Sequence, residues 1–295
     1  MTAFANRIAG APITWGVDGS PGWGLMIPRD RVFSEMASLG IKATELGPDG
    51  YLPTEPDELL SYLGALGMQV VGGWVPMTMA KQEIFDSELT YLNRACLQFQ
   101  RAGANVLILG PTSHFPGYDK RPDLSSEEWA TFFANLQTVM GIAAQYGLTA
   151  ALHQHMGTVI ESASEVQRVL DNTDVKLCLD TGHTLAAGID PVTLVRSAPD
   201  RVAHVHLKDV SAVLAERIRS GELPFRQACI DGLFRPLGQG DVDLPGVITS
   251  LEESGYTGWY TIEQDCSIAE LPPIGAGPIL DCQISYQYLM ELAAA

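Results

Sequence analysis

Along the chain, short apolar runs recur at intervals of roughly 25 to 50 residues, and stretches with apolar positions at helical spacing separate them. Residues 8 to 15, 42 to 47, 69 to 75, 104 to 110, 149 to 154, 175 to 180, 202 to 207 and 258 to 263 read as strands. Strands that alternate with helices imply βαβ units and a parallel sheet. Eight such units favour one closed (β/α)8 TIM barrel over residues 1 to 295. An open doubly wound sheet would call for a glycine-rich GxGxxG loop after the first strand, which is absent.

The polar punctuation agrees. Pro28 can open a helix that runs to Leu39 and stops at Gly40, and Thr54 with Pro56, Asp57 and Glu58 opens another that ends near Gly67. Ile84, Leu89, Leu92, Cys96 and Phe99 keep helical spacing within 81 to 102, before Gly103. Ser125 to Glu128 spells a capping box for a helix reaching Tyr146, and Ser162 or Ser164 and Asp190-Pro191 start the next two. Between strands seven and eight an insertion from 211 to 243 exceeds what a minimal barrel needs, with a short helix expected at 212 to 219. Long βα loops lie over barrel active sites, so it is expected to be a lid or an oligomer contact. A closing helix is expected from 278 to 292.

Composition narrows the function. A formal charge of -17 disfavours nucleic acid and anionic membranes, and no window is apolar enough to span a bilayer. The first fifteen residues lack the layout of a secretory signal, so a cytoplasmic location is expected. Five cysteines without a C-x-x-C pair suit neither a disulfide framework nor a thiolate zinc site. With five lysines, and only Lys208 at a strand end, a neutral polyol fits better than a phosphorylated sugar.

Chemistry gathers where strands end. Five of the six histidines lie between 149 and 209, and the sixth, His114, follows strand four. Alternation places His153 and His155 on one face of strand five, and His204, His206 and Lys208 on one face of strand seven. Asp180, His206 and Glu263 occupy matching heights on strands six, seven and eight. Two carboxylates and an imidazole suit a divalent ion, with Mn or Co preferred and Mg, Fe or Zn possible. A fourth ligand comes from strand five: His153 by position, or Glu161 if the GTVIE loop folds back. His204 reads as a core histidine. Trp15 and Trp74, at the ends of strands one and three, either plug the barrel or stack on a sugar ring. Glu45 in an apolar strand points to function, because a buried carboxylate without a partner is costly.

HQHMGT (153 to 158), DTGH (180 to 183), AHVHLKDV (203 to 210), Phe225 to Phe234 and GYTGWYTIEQD (255 to 265) resemble inosose dehydratase, and more broadly the xylose-isomerase-like sugar isomerase and epimerase barrels. APITWG (11 to 16) and ATELGPDGYLP (43 to 53) extend the likeness to the N-terminal half. The superfamily's usual ligands are a strand-five Glu, a strand-six Asp, a strand-seven His and a strand-eight Glu; His153 stands in the first place here. The resemblance implies dehydration of a keto-inositol or related keto-sugar through a metal-stabilised enediolate. An isomerase or epimerase using the same enediolate is the alternative, and a non-catalytic sugar-binding barrel a further one. His155 or Glu161 would be the base, and His183 or Lys208 the acid or oxyanion stabiliser. Trp15, Glu45, Trp74, His114 and Gln264 would hold the hydroxylated ring. Such barrels also form homo-oligomers.

Overall fold

The computed structural model describes residues 3–294. In chain order its strands are β1 (Ile8–Gly10), β2 (Ala43–Glu45), β3 (Gln69–Gly72), β4 (Trp74–Met77), β5 (Val106–Pro111), β6 (Thr149–His153), β7 (Lys176–Asp180), β8 (Val202–Leu207), β9 (Asp209–Val210), β10 (Phe234–Arg235) and β11 (Tyr260–Ile262). The helices are α1 (Arg29–Ser38), α2 (Pro56–Ala65), α3 (Gln82–Ala102), α4 (Ser126–Gln145), α5 (Ala163–Asn172), α6 (Thr181–Ala186), α7 (Pro191–Ser197), α8 (Ala212–Arg219), α9 (Phe225–Ile230), α10 (Leu244–Glu253) and α11 (Pro278–Ala294).

One sheet runs in the order β3-β2-β1-β11-β8-β7-β6-β5-β4, with every described pair parallel. Its two ends, β3 and β4, are consecutive in the chain and separated only by Gly73. The Gly72 carbonyl accepts from Leu46 N on the β2 side at 3.2 Å, and the Gly73 carbonyl accepts from Ile108 N of β5 at 3.0 Å. A single split strand therefore pairs with both neighbours and closes an eight-stranded barrel, so no edge is left exposed. Glycine suits the split, because a Cβ there would lie 2.8 Å from the Phe99 ring of α3 and press it aside.

The expected strands are all present and most are shorter, although 202 to 207 is matched end to end and the third is split at Gly73 and runs on to Met77; the first differs most. It ends at Gly10, and Pro12–Trp15 form a 3-10 turn, since Pro12 offers no N–H to a ladder. Most helix signals act as read, although Glu55 rather than Thr54 precedes α2. Ser125–Glu128 and Ser162–Glu165 are reciprocal capping boxes, and Gly103, at φ 79°, stops α3. Phe132, Leu136 and Val139 of α4 are fully buried, and truncating one such side chain typically costs about 2–5 kcal/mol.

The insertion holds α8, α9 and β10, which pairs antiparallel with β9 just before it. Asp209 anchors it: its carboxylate accepts from the N–H groups of Val210, Gly238, Gly240 and Val242 at 2.9–3.0 Å. Gly240 has no alternative, because a Cβ would run into that carboxylate. Thus fixed, the insertion lays Phe225 and Phe234 over His183, with ring centroids 5.8 and 5.4 Å away.

Candidate metal centre

Four adjacent barrel strands deliver the centre. Register pairs Asp180 with His206, and Glu263 N donates to Leu207 O just beyond β11, so the side chains at these strand ends meet inside the mouth. His153 Nε2 lies 3.0 Å from His206 Nδ1 and 3.4 Å from Asp180 Oδ2. Glu263 Oε2 touches His206 Nδ1, and the donor atoms of the four residues all lie within 4.8 Å of one another. His153, Asp180 and His206 are buried, and the Glu263 side chain is 11% exposed.

The protein compensates such a set only in part, through Lys208 Nζ at 3.2 Å from Asp180 Oδ2. Asp180 Oδ2 and Glu263 Oε2 are buried yet form no hydrogen bond, and between the two facing imidazole nitrogens at most one proton fits. A divalent ion would satisfy all four donors at once, so the residues fit one. Their orientation is preset. The other Asp180 oxygen, Oδ1, caps α6 by accepting from His183 N at 2.7 Å. Behind His206, Glu45 Oε1 accepts from Nε2 at 2.9 Å, which leaves Nδ1 to face the other donors. Glu45 also accepts from His204 Nε2 at 2.8 Å. Burial alone would raise the Glu45 carboxyl, but the charge of His206 and the hydrogen bonds from both histidines hold it below its ordinary value.

A second polar group stands beside the first. Lys208 is fully buried, with Nζ 2.9 Å from Asp265 Oδ1, 3.0 Å from His183 Nε2, 3.2 Å from Asp180 Oδ2 and 3.4 Å from Glu263 Oε1. Burial opposes its charge, but Asp180, Asp265 and Glu263 outweigh that and push its pKa well above the usual lysine value. The same cation keeps its neighbours in their own states. His183 is driven well below the ordinary histidine range by burial and then by Lys208, and His155 by burial and then by His183. The His155 and His183 rings lie 3.7 Å apart between centroids. At neutral pH the geometry therefore offers a neutral imidazole, His155, on the wall of a cavity of about 1040 Å³ that is also lined by His153, His206 and Glu263.

Other candidates from the sequence fall in different places. Glu45, Trp74, His153, His155, His206 and Glu263 line the cavity. Trp15 does not reach it: the 3-10 turn buries its ring, and Nε1 donates to Glu35 Oε2 at 2.8 Å. His114 is exposed on the loop after β5 and stacks on Phe115. Gln264 turns outward and donates to Asp281 of α11 at 3.0 Å. The GTVIE loop does fold back, but the Glu161 carboxylate accepts from Gly157 N at 2.5 Å and faces Arg121, apart from the four converging donors. Lys208 and His183 sit behind the wall, not on it. Sequence reasoning gave no role to Asp265, Asp18, Trp23 and Tyr118, which do line the cavity. Only Asp265 had a signal, two residues beyond Glu263 on the same strand face.

A description of xylose isomerase-like TIM barrels matches residues 33–277. The chain belongs to that family. It is 33% identical over 297 residues to the rhizopine catabolism protein MocC of Rhizobium meliloti, covering 98% of this chain and 89% of that one. It is 32% identical over 297 residues to an inosose dehydratase of Geobacillus kaustophilus, covering 97% and 94%. Among solved structures, the IolI protein with a bound zinc atom superposes with a TM-score of 0.71 at 16% identity, covering 98% of both chains, a likeness of fold. Among the described residues, no helix is long and apolar enough to cross a membrane.

Proposed function

We propose that this protein is a metal-dependent hydro-lyase that removes water from a keto-inositol of the 2-keto-myo-inositol type, or from a closely related keto-sugar. The observation that carries the reading is the convergence of His153, Asp180, His206 and Glu263, whose donor atoms lie within 4.8 Å of one another, with three of them lining the floor of a cavity and Asp180 behind it. Near-full-length similarity to inosose dehydratase chooses the substrate class.

Bound by those four residues, a divalent cation would supply Lewis acidity, drawing electron density from a ketone and its neighbouring hydroxyl. Mn or Co suits two imidazoles and two carboxylates best, with Mg, Fe or Zn as substitutes. Glu45 holds His206 in the tautomer that presents Nδ1. His155, neutral and on the cavity wall, takes the proton from the carbon beside the ketone. The hydroxyl on the next carbon then leaves as water with a proton supplied from the Lys208–His183 side. Asp265 lines the cavity and contacts both groups, at 2.9 Å from Lys208 Nζ and 3.4 Å from His183 Nε2, and is the point through which they reach the departing oxygen. Trp74 packs edge-on against His153, with centroids 5.1 Å apart, and its ring lies across Gly110, where no Cβ could be accommodated. It offers an aromatic wall to the C–H face of the ring.

Incubating the purified protein with scyllo-inosose, with Mn or after EDTA treatment, tests this. The expected result is a conjugated ketone absorbance and a product lighter by one water, abolished by EDTA and restored by metal. A product of unchanged mass would overturn the lyase reading in favour of epimerisation.

A further inference from the structure

The cavity is larger than its proposed chemistry needs. Pockets that enclose drug-sized ligands run roughly 300–1,000 Å³, and a keto-inositol has only about a dozen non-hydrogen atoms. At about 1040 Å³ this cavity lies at the top of that range. The floor, from Glu45 to Asp265, accounts for one ring. Above it the space continues outward between the loops after β1, β2 and β5 and the side of α3, past Asp18, Ser20, Arg29, Tyr51, Tyr91 and Tyr118. A crevice between the Asp49–Gly50 turn, Trp74 and Tyr91 adjoins it.

The outer walls are built. Tyr51 donates its hydroxyl to Ile27 O at 2.7 Å, tying the second loop to the first. Arg94 clamps Asp49 through two hydrogen bonds, at 3.1 and 2.7 Å. Tyr118 is held against His155, with centroids 4.6 Å apart, and edge-on to Trp23 at 6.2 Å. Gly157 has φ 77°, and any Cβ there would run into the Tyr118 backbone, so this loop and the HQHMGT loop are fitted to each other.

We propose that this outer space is a second subsite that accepts a hydroxylated ring joined through oxygen to the keto-ring, so that the preferred substrate is an O-glycosylated keto-polyol rather than a free monocycle. Ring faces alternating with hydroxyls and carboxylates suit a neutral sugar: the aromatic planes cover C–H faces while the polar tips meet hydroxyls. A phosphate would meet Asp18, with Arg29 the one guanidinium among the lining residues and Asp49 already paired to Arg94, and an alkyl tail would leave the Asp18 carboxylate desolvated.

The inference rests on the proposed dehydratase reading, and its test separates the two. Inhibition of scyllo-inosose turnover, and direct calorimetric binding to the metal-loaded protein, would be compared for myo-inositol and for galactinol, which is myo-inositol carrying an O-linked galactose. Galactinol is expected to bind ~10-fold or more tightly than myo-inositol, a difference of about 1.4 kcal/mol. Tyr91→Ala and Arg29→Ala should shrink that ratio towards one. Equal binding of the two, or exclusion of galactinol by a protein that dehydrates scyllo-inosose, overturns the subsite and leaves the function standing. Tighter galactinol binding by a protein that dehydrates nothing keeps the subsite and removes the function.

Discussion

The mouth of this barrel is built in two ways. On one side, β6, β7, β8 and the end of β11 project donors whose positions follow from strand register, with His153, Asp180 and His206 buried and the Glu263 side chain 11% exposed. On the other, the loops after β1, β2 and β5 form a wall from irregular chain, and they and the neighbouring loop after β4 are held by hydrogen bonds and ion pairs that reach the surface. Under the proposed function, the difference separates where reactivity is set from where the ligand is selected. A strand end fixes a ligand atom because the sheet behind it cannot yield, whereas a loop can change length and side chain without moving the floor.

The largest effect should come from the strand side. Asp180→Asn keeps an oxygen to cap α6 but loses the negative charge that Oδ2 presents beside His153. Turnover and bound metal should both fall, by more than the ~10–100-fold typical of changes one shell further out. Elemental analysis and dehydration rates measure this. A variant that retains full metal content would break the claim that strand register alone builds the floor.

One shell out, Glu45→Gln tests the support of His206. Its carboxylate holds two imidazoles, at 2.9 and 2.8 Å, and the amide carries half the acceptor capacity and no charge. Metal affinity is expected to drop by ~10–100-fold, read by competition with a chromogenic chelator, and turnover should recover at high metal. Failure to recover would mean that Glu45 touches substrate directly, as its place on the cavity lining allows.

The same division explains what could be read from the sequence. His153, Asp180, His206 and Glu263 stood out because alternation in a strand converts position into facing. Trp15 misled because APITW carries β-branched and aromatic residues, yet Pro12 turns the chain and sends the indole to Glu35 of α1. Gln264 follows Glu263 directly and faces the opposite way, towards Asp281 of α11, the next helix in the chain. Tyr118, Trp23 and Asp18 left no trace, since nothing periodic marks a loop residue that reaches a site through tertiary packing. The short helix α6 was hidden for another reason: its N-cap is Asp180 itself, one residue serving strand end, cap and donor set together.

The smallest effect sharpens the contrast from the loop side. Lys81, after β4, donates to Glu128 Oε1 at 2.6 Å, and Glu128 closes the capping box that starts α4 after β5. The hydrogen bond from Lys81, and then that from the Ser125 backbone, lower the Glu128 pKa from 4.5 to about 2. A carboxyl depressed in the folded state adds stability that is complete above its unfolded value and is lost as pH falls through the folded one. The difference in Tm between the protein and Glu128→Gln should thus be full at neutral pH and shrink between pH 4.5 and about 2. Because Gln can still complete the capping box, the variant isolates the charge. The pair is partly exposed, at 39% and 25%, so salt should reduce the same difference at neutral pH, while the sheltered donors of the floor stay unscreened. A salt-independent difference would mean that the loop wall is held as rigidly as the strand ends, and the two sides of the mouth would no longer be distinct in kind.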